Sequence, residues 1–115
     1  PPSSNAEWLR KYLRNAISQG KSKWEIISNK VLDDVVDYTS FLIFSKSTKR
    51  PNDWHVAKGF RRVDGSIYVI DTELKMDAGE KTGKPIEYQK YLDVLQKMKR
   101  PVVEIIALPS DTLSL

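Results

Sequence analysis

The chain has 115 residues, 40% of them apolar and 30% charged, which suits one globular domain able to bury about two-thirds of its unfolded surface. It has no cysteine, which excludes a disulfide framework and a thiolate zinc site; that favours a reducing compartment, although a protein unfolded for export shows the same. The net charge of +4 points to an anionic partner, and the apolar runs are too short to cross a bilayer as a helix.

PPSSNA at the start reads as a linker, so residues 1–5 are expected to be a disordered leader and 6–115 one domain. Trp8, Leu9, Tyr12, Leu13, Ala16 and Ile17 recur at helical spacing and predict an amphipathic helix over 6–18, stopped by Gly20. Ser22 followed by Glu25 is a capping-box pattern and predicts a second helix with Trp24, Ile27, Val31, Leu32, Val35 and Val36 on its stripe. TSFLIFS, 39–45, is aromatic and β-branched and reads as a buried strand. KSTKRPND is a polar turn, HVAKGFRRV a second strand, and VDGS a hairpin signal. SIYVIDTELK is the third strand and MDAGEKTGK a loop. PIEYQKYLDVLQKM is a helix that tolerates Pro85 in its first turn and carries Tyr88, Tyr91, Leu92 and Leu95 on one face. Lys99-Arg100-Pro101 ends it, and VVEIIAL, 102–108, is the last strand. The expected fold is a mixed α/β domain in the order α-α-β-β-β-α-β. A right-handed crossover can place the last strand parallel to a neighbour.

The third strand carries the sharpest signal. Side chains alternate along a strand, so Asp71, Glu73 and Lys75 share a face. The apolar run 67–70 makes the strand central, and carboxylates at its end are costly unless they meet a cation. A hard divalent ion meets that need, polarises a phosphate and activates water. A lysine beside it can orient the water or neutralise charge developing on phosphate oxygens. The bland alternative is an ion pair at a sheet end. Lys46, Lys49, Arg50, Lys58, Arg61 and Arg62 crowd into one stretch against a single acid, Asp53. They read either as a phosphate-facing patch or as a solvated sheet edge.

With Glu73-Leu74-Lys75 at the end of the third strand, and αβββαβ order over 22–108, the chain resembles the PD-(D/E)xK, restriction-endonuclease-like nuclease superfamily. The resemblance implies that αβββαβ core, preceded here by one N-terminal helix, and a metal-dependent nuclease acting on DNA or RNA with Mg²⁺ or Mn²⁺. The family aspartate falls on Asp53 in Arg50-Pro51-Asn52-Asp53, where Asn52 separates proline from acid. Asp53 and Glu73, with Asp71, would hold the ion, and Lys75 would act on the water. Glu25 would be an auxiliary glutamate or a capping residue, and Gln89 between Tyr88 and Lys90-Tyr91 lacks the usual spacing.

His55 is the only histidine. An imidazole suits proton transfer from a ribose 2′-hydroxyl, and equally suits a satisfied place in a sheet. Helices ahead of a twisted sheet bearing His, Lys and Arg also resemble the barnase, colicin D and RelE group of small ribonuclease toxins. That resemblance implies a metal-independent ribonuclease using His55 with Lys58 and Arg61 or Arg62, helped by Thr39, Ser45 or Tyr68. It would make the chain a toxin domain delivered from a larger secreted protein to a cytoplasmic site, with an acidic immunity protein as partner. A third reading needs no chemistry: Trp54, Phe60 and Tyr68 stack on single-stranded bases in a basic binding module. Nucleic acid is the expected partner in all three, with no membrane; divalent-ion dependence separates them.

Overall fold

A computed structural model of the chain describes residues 5–27, 38–73 and 83–110. Helix α1 spans Asn5–Ser18, followed by strands β1 Glu25–Ile27, β2 Tyr38–Lys46, β3 Trp54–Arg61, β4 Ile67–Ile70 and β5 Ile86–Glu87, helix α2 Tyr88–Lys97 and strand β6 Val102–Pro109. The strands form one sheet in the order β1-β6-β2-β3-β4-β5. All neighbouring pairs are antiparallel.

The period-two alternation of the central strands sends apolar side chains to both faces. Phe41, Ile43, Ala57, Val69, Ile105 and Ala107 face α2, which answers with Tyr88, Tyr91 and Leu95. Their sequence neighbours Phe44 and Ile106 face α1 and meet Leu13, with Leu9, Ile17, Trp24, Trp54 and Val56 around them. The fold is therefore a mixed α/β arrangement of three layers, helix on sheet on helix, as expected of a sheet apolar on both faces.

Both helices end in the same hydrogen-bonded turn. After α1, Gly20 N–H donates to Ile17 O and Lys21 N–H to Ala16 O, with Gly20 at φ 69°. After α2, Lys99 N–H donates to Gln96 O and Arg100 N–H to Leu95 O, and Lys99 holds φ 57°. Glycine is the usual occupant of that position, so the lysine is there at a conformational cost. At the other end of α2, the Glu87 carboxylate accepts from Gln89 N–H and Lys90 N–H, satisfying donors that a helix start leaves open.

Three expectations change. The second helix does not begin at Ser22: its hydroxyl accepts from Trp24 N–H in a local turn, and Glu25–Ile27 pairs with β6 as a strand. Residues 28–37 lie outside the described residues. The third strand ends at Ile70 rather than running on to Lys75, which lies outside the described residues with the rest of 74–82. The last strand is antiparallel to its neighbours. The physical reason is a junction of two turns: Lys46 N–H bonds Pro101 O and Thr48 N–H bonds Lys99 O. β6 thus departs from the place where β2 ends and runs back along it.

Candidate catalytic and phosphate-facing site

Ile67, Val69 and Asp71 are buried in alternation, so the pleat of β4 carries one step past the strand and sets Asp71 among the residues facing α2. His55 sits on β3, two residues before Ala57 on the same face, and Ser45 lies directly across from it on β2. All three are buried. The His55 Nε2 is 2.6 Å from Asp71 Oδ2. Tyr91 O–H donates to that same oxygen at 2.8 Å, and Glu73 N–H donates to Oδ1 at 3.0 Å.

These contacts decide the imidazole's orientation. An ionised carboxylate only accepts, so Nε2 carries the proton that it shares with Asp71. Nδ1 is then the basic nitrogen, and it faces Glu73 Oε2 at 3.6 Å. Glu73 is a surface group, its side chain 80% exposed against 1% for Asp71. The ring is anchored from inside by Asp71, and its other nitrogen faces the surface carboxylate of Glu73. Burial, together with the charge of Asp71 and the hydrogen bond to it, pushes the Tyr91 phenol far above its ordinary range, so it remains a donor. Arg100 acts in the opposite direction on Tyr91, which places its charge within reach of this cluster. Ser45 Oγ is buried and makes no hydrogen bond among the described residues.

Among the described residues, the carboxylates expected to share an ion are engaged by other partners. Asp53 lies just before β3, where its Oδ2 accepts from Arg100 at 2.7 Å and pairs with Arg50 at 3.0 Å. A cation there would displace two guanidinium groups. Both Asp71 oxygens already accept hydrogen bonds, and the imidazole stands between Asp71 and Glu73. Among the described residues, no group of three or more His, Cys, Asp or Glu could hold a metal ion. Glu25 is on β1, its carboxylate accepting from Tyr38 O–H at 2.8 Å, and Gln89 lies on the exposed side of α2.

The basic stretch does not form one patch. Lys49 and Arg50 occupy the β2–β3 turn, and Arg61 and Arg62 the opposite end of β3, about 23 Å away at the rise of an extended strand. Lys46 stacks over Trp54 on the α1 side, with Nζ 5.2 Å from the ring centroid, and Arg10 caps the same ring at 4.4 Å. Lys58 is exposed on that face, away from His55. Arg61 ties the chain together, donating to Tyr38 O and Gly65 O. Thr39 is exposed on β2. Phe60, Tyr68 and Arg62 form a small ladder, with ring centroids 6.4 Å apart and Arg62 4.3 Å over Tyr68.

Sequence reasoning missed Tyr91, Arg100, Lys97 and Lys99 as site residues. Tyr91 reads as core, Lys97 as part of the helix, and Lys99 and Arg100 as a helix stop. The available signal was that both turns meeting at one end of the sheet, 47–53 and 98–101, are basic. Among the described residues no helix is long and apolar enough to cross a membrane. No family model matches the chain, and no curated protein or solved structure matches it significantly.

Proposed function

We propose that this chain is a ribonuclease in which His55 takes the proton from a ribose 2′-hydroxyl and no metal ion is needed. The observation that carries this reading is the anchoring of His55: Nε2–H held by buried Asp71, Nδ1 turned outward. A carboxylate so placed fixes the tautomer and stabilises the imidazolium that forms on proton transfer. Tyr91 supports the same oxygen from the core side. The attacking 2′-oxygen bonds to phosphorus as the P–O5′ bond breaks, giving a 2′,3′-cyclic phosphate, and the departing 5′-oxygen takes a proton from solvent water to become a 5′-hydroxyl. Charge on the phosphoryl oxygens would meet the cations at the Arg100 end of the sheet. DNA has no 2′-hydroxyl and is not a substrate for this step.

The test is cleavage of labelled RNA and of DNA of the same sequence, each with Mg²⁺ and with EDTA. RNA should be cut in both buffers, with cyclic phosphate ends, and DNA in neither. His55→Ala should lower the rate by about 10²–10⁴. Cleavage confined to Mg²⁺ and lost in Glu73→Gln would replace this reading with a metal-dependent nuclease. A second reading rests on the Phe60–Tyr68–Arg62 ladder, a stacking surface suited to single-stranded bases. Binding without cleavage of either polymer in either buffer would favour that binding module.

A further inference from the structure

We infer that the junction of the two basic turns is a phosphate-binding pocket, lined by Ser47, Lys49, Arg50, Lys97, Lys99 and Arg100. Its volume is about 510 Å³, within the range of ligand clefts. Two separate elements build it. The Ser47 hydroxyl accepts from the backbone N–H groups of Lys49 and Arg50, ordering the β2–β3 turn that displays them. Lys99 O accepts from both Thr48 N–H and Thr48 Oγ1–H, fastening the α2–β6 turn against the first.

The charge arrangement points to an anion. The five basic side chains include two that share one carboxylate, Asp53. Lys49, Lys97 and Lys99 make no ion pair among the described residues. Lys97 alone would be explained by the negative end of the α2 dipole. Lys49 and Arg50 belong to another element, and the dipole does not explain why they converge on the same cleft. Lys99 strengthens the case: the turn that ends α1 uses glycine at the equivalent position, and here a lysine is kept at φ 57°. Backbone strain of this kind persists where the surroundings hold it, and collects at ligand-binding sites. The inner wall is Arg100, which donates to Asp53, two residues before His55 at the start of β3. The pocket would hold a phosphate of the bound strand beside His55. Only the naming of RNA as its bearer rests on the proposed function.

The test is binding by the intact protein, so that it does not depend on cleavage. The probe is a fluorescein-labelled 2′-O-methyl RNA 12-mer, which cannot be attacked, with and without a terminal phosphate, followed by anisotropy across a salt series. Lys49→Gln with Lys99→Asn removes two cations, asparagine being tolerant of positive φ. If both lysines meet phosphates, the log–log salt slope should fall by about 1.4 and affinity at 0.1 M salt by about 25-fold, at roughly 0.7 per contact on a single strand. Lys11→Gln with Lys58→Gln, the same charge change elsewhere, should move neither. Equal losses for both 12-mers assign the pocket to a backbone phosphodiester, and a loss confined to the phosphorylated one assigns it to a terminal phosphate. An unchanged slope in the first double variant, with its thermal unfolding intact, overturns the pocket. So does failure of the wild type to bind either 12-mer. Intact binding without RNA cleavage refutes only the ribonuclease reading.

Discussion

Replacing Asp71 by asparagine isolates the anchoring of His55 with almost no change of shape. Among the described residues, the native carboxylate accepts three hydrogen bonds: two on Oδ2, from His55 and Tyr91, and one on Oδ1, from Glu73 N–H. Asparagine has a single acceptor oxygen. If that oxygen stays with Glu73 N–H, the amide NH₂ meets both Tyr91 O–H and His55 Nε2. The imidazole must then shift its proton to Nδ1, and the outward nitrogen is no longer a base. If the amide flips, its oxygen keeps His55 and Tyr91, but its NH₂ opposes Glu73 N–H. Either way at least one bond to a charged acceptor is lost, each of these being worth about 1.5–3 kcal/mol. Removing a buried charge returns part of that, so the net destabilisation should be about 1–3 kcal/mol, measured by urea unfolding at pH 7. RNA cleavage in EDTA should fall by about 10²–10⁴, and RNA binding should remain. Wild-type cleavage by a folded Asp71→Asn variant would refute the assignment of His55 as the base, and would leave the network a purely structural one.

Tyr91→Phe tests the same network through pH. Because burial and Asp71 raise the Tyr91 pKa above its ordinary 10.0, its contribution is complete below that value and is lost as pH climbs beyond it; the stability gap between wild type and variant should narrow above pH 10.0, and a constant gap counts against the shift. Gly59→Ala would put a methyl 3.1 Å from Ile43 Cδ1 and 3.3 Å from Phe41 Cβ, and overpacking of this kind should cost about 1–3 kcal/mol, read as a lower melting temperature. Thermal unfolding should give the same midpoint in Mg²⁺ and in EDTA, because a ligand stabilises only through a site that binds it; a rise of several degrees in Mg²⁺ would restore a metal site built on Asp53 or Glu73.

The parts of the fold legible in the sequence were those with a long period. α1, β2, β3, α2 and β6 carry 8–14 residues of consistent alternation and were placed within a few residues. β1 and β5 were not, since three and two residues give no period to read. Ser22 and Glu25 have the spacing of a helix cap, but β6 offered Glu25–Ile27 a strand partner from far along the chain, which no local pattern can reveal. The site was half legible. Asp71, Glu73 and His55 were singled out for their residue types, and the period-two argument rightly set Asp71 apart from Ile70. What the carboxylates do was decided by partners distant in sequence: Tyr91 for Asp71, and Arg100 for Asp53. Among the described residues, a guanidinium holds Asp53, and a phenol and an imidazole hold Asp71.

The two shortest strands have a consequence of their own. A sheet margin exposes unpaired amide and carbonyl groups, and a long, regular margin can recruit a strand from another molecule. Among the described residues, the outermost strands are Glu25–Ile27 on one side and Ile86–Glu87 on the other. The second stops because Glu87, its last residue, is also the N-cap of α2. The side chain that starts the helix thereby ends the strand, and the chain turns away before it can offer a template. Among the described residues four inner strands carry nearly all the pairing, and the two outermost strands themselves present few groups for a foreign strand to align with. For a molecule built around an apolar sheet, outermost strands this short offer little surface of their own for fibrous association.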